Sequence, residues 1–221
     1  MSRMTRREWL ARPAIASALG GVLTAASSTA KTASNALTPR ERIRARYFPN
    51  VPLRTHDGKA VRFYDDLIKG RIVTINVMYA TCEGICPSIT ANLVKVQKLL
   101  GTRVGRDIFM YSITIKPKED TPSVLRDYIR THGIGPGWTY VTGEADDVEL
   151  LRRKLGFTNP NPKLDQDTSQ HIGNVRYGNE PLMLWAACPA QADPEWIVKS
   201  ISWVIRPEPR TTISPTKGAS T

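Results

Sequence analysis

The sequence predicts an α/β fold: a central mixed sheet flanked by helices, with a β-hairpin at its N-terminal end. Between residues 71 and 155, apolar β-branched runs alternate with runs of helical period. A further hairpin and an amphipathic closing helix follow them. A third observation narrows the class. Cys82 and Cys86 fall where the first core strand turns into a helix, and a cysteine pair at the first β–α junction makes the fold thioredoxin-like.

Each element has its own signal. Val51–Leu53 and Ala60–Phe63 flank an Asp57-Gly58 turn, which predicts the hairpin. His56 beside that turn reads as a solvated loop residue. Tyr64–Gly70 reads as a short turn or helix. Arg71–Met78 is a buried strand, and Ser88–Leu100 is a helix closed by Gly101. Asp107–Ile115 is the second strand. Thr121 and Pro122 open a helix as N-cap and first helical residue, and His132-Gly133 ends it. Trp138–Thr142 is the third strand. Glu144–Leu155 has acids early and bases late, as the helix dipole prefers. Phe157–Gln170 is expected to be a polar loop, Ile172–Glu180 a strand and turn, and Pro181–Trp185 the last strand. Cys188-Pro189-Ala190 is expected in a loop, with Cys188 a small buried residue. Pro194–Ile205 closes the domain as a helix. Met78, Met110 and Met183 fall in strand patterns and read as core.

The 221 residues suffice for one domain with tails, and the formal net charge is +11. Residues 1–36 open with a twin arginine, Arg6-Arg7, followed by a weakly apolar run from Ala14 to Ala30. They read as a twin-arginine export signal. The run is short for a span and holds Gly20 and Gly21, so cleavage is expected rather than a retained membrane anchor. The expected location is periplasmic or otherwise exported. Residues 37–46 are expected to be a linker, 47–206 the thioredoxin-like domain, and 207–221 a Pro/Ser/Thr-rich disordered tail. The basic charge is scattered, with no basic run interleaved with aromatics, so no nucleic-acid partner is expected. Solubility, or steering toward an acidic partner or a membrane surface, accounts for it better; peripheral membrane association is one expectation.

Three cysteines in an exported chain face an oxidising compartment, and the odd number leaves at least one without an intrachain partner. The usual redox pair leaves two residues between cysteines; Cys82 and Cys86 leave three. An i, i+4 pair puts both sulfurs on one side of a helical turn, where both can face one metal ion. Two thiolates favour Cu(I), with zinc the other candidate, and a third ligand must come from elsewhere. His171, entering the last hairpin, is the candidate; an imidazole would also accommodate Cu(II). Two readings compete with a metal site. Cys82 and Cys86 could form an inert structural disulfide, or serve as a redox pair in which Cys82 attacks and Cys86 resolves. Glu83, between the cysteines, is expected to disfavour the thiolate.

Tyr79–Pro87 resembles the Cys-x-x-x-Cys-Pro signature of the Sco/SenC family, thioredoxin-fold copper chaperones for respiratory oxidase assembly. Lys116–Pro122 resembles that family's Asp-Pro-x-x-Asp-Thr-Pro stretch, and Trp138–Gly143 its aromatic strand ending in Thr-Gly. His171 falls where the family's metal-binding histidine falls. The resemblance covers roughly residues 47–206. It implies copper held by Cys82, Cys86 and His171 and delivered to a respiratory oxidase copper subunit, or to another copper-site or thiol protein. The chain departs from the pattern at Glu83, Lys116, Gln170 and Ile172, where the family often has Pro, Asp, Asp, and Ser or Thr.

Overall fold

The computed structural model describes residues 37–166 and 173–205. The expected export signal and tail lie outside them. So does His171.

Among the described residues, seven strands form one mixed sheet. In chain order they are β1 (Pro52–Thr55), β2 (Ala60–Arg62), β3 (Ile72–Met78), β4 (Ile108–Thr114), β5 (Trp138–Gly143), β6 (Asn174–Asn179) and β7 (Leu184–Pro189). The order across the sheet is β2-β1-β5-β4-β3-β6-β7. The three central strands run parallel, β4 between β3 and β5, and the hairpins join antiparallel at either side. Among the described residues, six α-helices accompany them: α1 (Pro39–Tyr47), α2 (Cys86–Leu100), α3 (Pro122–Thr131), α4 (Ala145–Lys154), α5 (Pro162–Gln166) and α6 (Pro194–Ile205).

The side-chain alternation of β3 divides the core in two. Val73, Ile75 and Val77 face a layer with Phe63, Leu67, Val148 and Leu151, from a π-helical turn (Phe63–Ile68) and α4. Met78 faces the other layer, with Leu93, Leu125 and Ile197 from α2, α3 and α6. Helices on both faces of a parallel centre make each core strand apolar along its length, which is why β3 and β4 are legible in the sequence.

The segment expected as a linker is helix α1. Thr38 and Glu41 close a reciprocal capping box, with Pro39 in the first turn. Arg40 then reaches the buried Glu180, Nη2 to Oε1 at 2.6 Å. Burial favours the neutral acid, but donors from Gly70 N–H (2.7 Å), Arg40 and the Tyr64 hydroxyl (2.9 Å) outweigh it and hold Glu180 below its ordinary value. This contribution to stability is complete above the ordinary carboxylate range and is lost as pH falls through the lower folded value. Glu180→Ala is expected to cost about 3 kcal/mol at pH 7, because three donors lose their acceptor, and the cost should shrink as pH falls towards the folded value. Arg40→Ala should speed proteolytic cleavage within residues 37–47. Thermal melts at pH 7 and 4 and limited proteolysis check both.

Further expectations are corrected. The polar loop contains α5, whose Asp165 is held by Arg152 (2.7 and 2.8 Å) and by the Asn159 N–H (2.6 Å). The last strand starts later than expected. Glu180–Met183 forms a turn in which Met183 N–H donates to Glu180 C=O at 3.0 Å and Met183 adopts φ 54°. Met183 is therefore a turn residue, and Cys188 lies inside β7, buried opposite Val175.

Candidate metal centre

Strand β3 delivers its last residues to a junction fixed from three sides. Ala80 N–H donates to the carboxylate of Asp120 at 3.0 Å, and the Thr114 hydroxyl at the end of β4 donates to the same oxygen at 2.5 Å. Asp120 is fully buried. The next residue, Thr121, accepts from Val124 N–H and caps α3. One carboxylate thus ties the ends of β3 and β4 to the start of α3. Burial pushes the Asp120 carboxyl up, against the hydrogen bonds from Thr114 and Ala80, which lower it.

Beyond Ala80 the chain turns, with Cys82 N–H to Tyr79 C=O at 3.3 Å, and α2 begins at Cys86 itself. Ile85 in the N-cap position offers no side-chain acceptor, and Pro87 occupies the first turn. No side chain competes there with the sulfurs, and the Cys86 N–H donates to Cys82. Burial raises the Cys82 thiol, but donors from the Cys86 side chain and N–H, the Tyr79 side chain and the Gly84 N–H together bring it below its ordinary value. Cys86 goes the other way, to about 12, through burial and through its hydrogen bond to Cys82. Cys82 is thus the sulfur favoured as thiolate, and Cys86 the one that holds its proton. Neither is in a disulfide, and Cys82 (6% exposed) is only slightly more open than Cys86 (1%).

Residues distant in sequence complete the surroundings. The Lys116 ammonium lies 4.4 Å from the centre of the Tyr79 ring, and the Lys116 N–H donates to Thr114 Oγ1. Below α2 the Thr90 and Tyr128 hydroxyls pair at 2.8 Å. Tyr79 and Lys116 open stretches that stand out in the sequence; that Asp120 ties the junction together is visible only once the fold brings it to Ala80. Glu83 is exposed, and the principal groups acting on Cys82 are burial and the donors from Cys86, Tyr79 and Gly84.

Cys188 is buried in β7, which pushes its thiol up to about 11. His132 ends α3 with its ring 4.0 Å from that of Tyr128. His56 is not a solvated residue. Its Nδ1 accepts from Tyr140 N–H at 3.2 Å while its own N–H donates to Tyr140 C=O, so it extends the pairing of β1 with β5. Among the described residues, no third His, Cys, Asp or Glu joins the two cysteines as a metal ligand. Gly173, two positions after His171, is packed so tightly on α2 that a β-carbon there would lie 2.8 Å from Ile85 Cδ1 and 3.0 Å from Ile89 Cδ1.

Comparison with known proteins agrees with this geometry. The SCO1/SenC family model matches residues 42–206. A SCO2-like protein of Rickettsia felis is 34% identical over 93 residues, 42% of this chain and 44% of that protein. The chain spans about half the length of the curated relatives it matches. Copper-bound yeast Sco1 superposes with a TM-score of 0.57 at 19% identity, covering 74% of this chain and 96% of that one. BsSco, a Sco-family cytochrome c oxidase assembly protein described as having a disulfide switch, superposes with a TM-score of 0.56 at 20% identity, covering 70% and 90%.

Proposed function

Because the chain belongs to the SCO1/SenC family, we propose that it binds copper through Cys82 and Cys86 with His171 as third ligand, and delivers it to a copper subunit of a respiratory cytochrome oxidase. The observation that carries the reading is the pair of sulfurs at the start of α2, one favoured as thiolate and hydrogen-bonded to the other. Two soft sulfur donors suit Cu(I), and an added imidazole suits Cu(II) as well. Copper is cargo here, so the residues must both hold it and release it. Binding displaces the Cys86 proton, so affinity rises with pH. Gly173 against Ile85 supports His171, because the chain re-enters the fold beside the residue preceding Cys86. The twin-arginine opening supports export, which would place the site in the compartment where oxidase copper sites face.

Cu(II)-loaded protein is expected to show a thiolate-to-copper charge-transfer band. His171→Ala should shift or abolish that band while leaving both thiols titratable. An unchanged spectrum would remove His171 from the ligand set.

A second reading is thiol–disulfide exchange with a partner protein. Its support is the same asymmetry: the Cys82 thiolate attacks a partner disulfide, and Cys86, once deprotonated, displaces the partner thiolate to leave a Cys82–Cys86 disulfide. This chemistry does not use His171. Full function in vivo of a His171→Ala variant would favour it over copper delivery.

A further inference from the structure

Helices α2 and α6 pack side by side on one face of the sheet, and their outer surface is unusual in two respects. First, it is basic. From Gly84 to Arg106 the chain carries Lys95, Lys98, Arg103 and Arg106 and no acid. Lys95 and Lys98 are exposed, as is Lys199 on α6. Asp107 lies at the edge of this stretch and bridges both Arg103 and Arg106; Glu195 is the exposed acid of α6 itself. Second, it exposes large apolar side chains. Leu99 is 51% exposed, Trp196 43% and Trp203 53%. Trp196, Lys199 and Trp203 follow the i, i+3, i+7 spacing of one helical stripe, and Trp203 borders an open groove of about 660 Å³ also lined by Arg103, Arg106 and Lys199.

We propose that this face docks on an anionic membrane surface. Charge complementarity identifies the partner's sign: α2 and the turn before β4 carry Lys95, Lys98, Arg103 and Arg106 against Asp107, while Lys199 and Glu195 balance on α6. The aromatic residues favour a bilayer over an acidic protein. Two indoles about 10 Å apart on a convex helix, each with an apolar ring and an N–H, match the headgroup level of a membrane. Among the described residues no helix is long and apolar enough to cross a membrane, so this contact is peripheral. It also has a geometrical consequence. Lys98 is twelve residues along α2 from Cys86, about 18 Å of helix. Lys98 and Trp203 therefore mark the end of the face remote from the cysteine pair, while Trp196 lies nearer to it, since the start of α6 sits beside Ser88 and Asn92.

The test is co-sedimentation of the full chain with vesicles of phosphatidylcholine, with and without phosphatidylglycerol. Residues 1–36 are present in every variant, so differences between variants report the folded domain. Lys98→Glu/Lys199→Glu is expected to weaken binding to phosphatidylglycerol vesicles by about tenfold or more, and Trp196→Ser/Trp203→Ser by a similar factor. A control pair of equal charge change on the opposite layer, Lys69→Glu/Lys154→Glu, should weaken it less than about threefold, by long-range screening alone. Unchanged melting temperatures keep the comparison one of binding. Equal losses from both charge pairs would overturn the proposal in favour of undirected basicity. Undiminished binding of the tryptophan variant would also overturn it. So would tighter, Lys98- and Lys199-dependent binding to polyglutamate than to the anionic vesicles, which would assign the face to an acidic protein.

Discussion

Iodoacetamide at pH 8 is expected to label Cys82 at least about a hundredfold faster than Cys86. The thiolate is the reactive species. Cys86, pushed up to about 12, is a thiolate in roughly one molecule in ten thousand at that pH. Cys82 is held below its ordinary value by donors from Cys86, Tyr79 and Gly84, so a far larger fraction of it is thiolate at that pH. The lower intrinsic nucleophilicity of a low-pKa thiolate recovers part of the difference but not all of it. Cys188, up near 11 and buried, should also lag. Mass-spectrometric mapping over a time course at several pH values reads all three. The labelling rate of Cys82 should level off at a pH below that of an ordinary thiol. Equal labelling of Cys82 and Cys86 would mean that the proton is not localised as described. Tyr79→Phe should raise the pH at which Cys82 labelling levels off, because it removes one donor.

Asp120→Ala should lower stability by about 3 kcal/mol, a fall of roughly 6–12 °C in melting temperature for a domain of this size. The carboxylate is buried and accepts from Ala80 N–H and the Thr114 hydroxyl. Alanine leaves both donors without acceptors and opens a small cavity. Asp120→Asn keeps one acceptor oxygen for the same two donors, so it should lose much less. The two variants also differ from wild type in pH dependence. Burial raises Asp120 above its ordinary value, so its contribution is greatest below the ordinary carboxyl range and declines as pH rises through the folded value. The asparagine variant lacks that decline. Melts of all three proteins from pH 4 to 8 measure it, and an alanine variant within 0.5 °C of wild type would remove Asp120 from the framework of the junction.

What the sequence disclosed depended on how local the signal was. The β3–α2 unit was legible because a continuous apolar run, two cysteines, a proline and a closing glycine all lie within thirty residues. Helix α1 was hidden by its composition. It has no buried residue and no apolar stripe, so periodicity is silent, and the signal that remained was the Thr38–Glu41 capping box. Strand β7 was placed too early because Pro181–Trp185 is apolar, whereas Met183 in a left-handed conformation makes its start a turn. At the site, Cys82 and Cys86 could be found by spacing alone. Tyr79 could have been suspected from its place beside them. The role of Asp120 could not, because it acts on Ala80 across forty residues, and only the parallel pairing of β3 with β4 brings the two together.

The central claim is that the two sulfurs of this junction hold copper. It is tested most directly by the copper content of protein isolated from its native compartment, wild type beside Cys86→Ser. The account predicts about one copper per wild-type chain and essentially none in the variant, because a single remaining thiolate cannot replace a two-sulfur site. Equal copper in both proteins, or none in either with Cys82 and Cys86 joined as a disulfide, would contradict it.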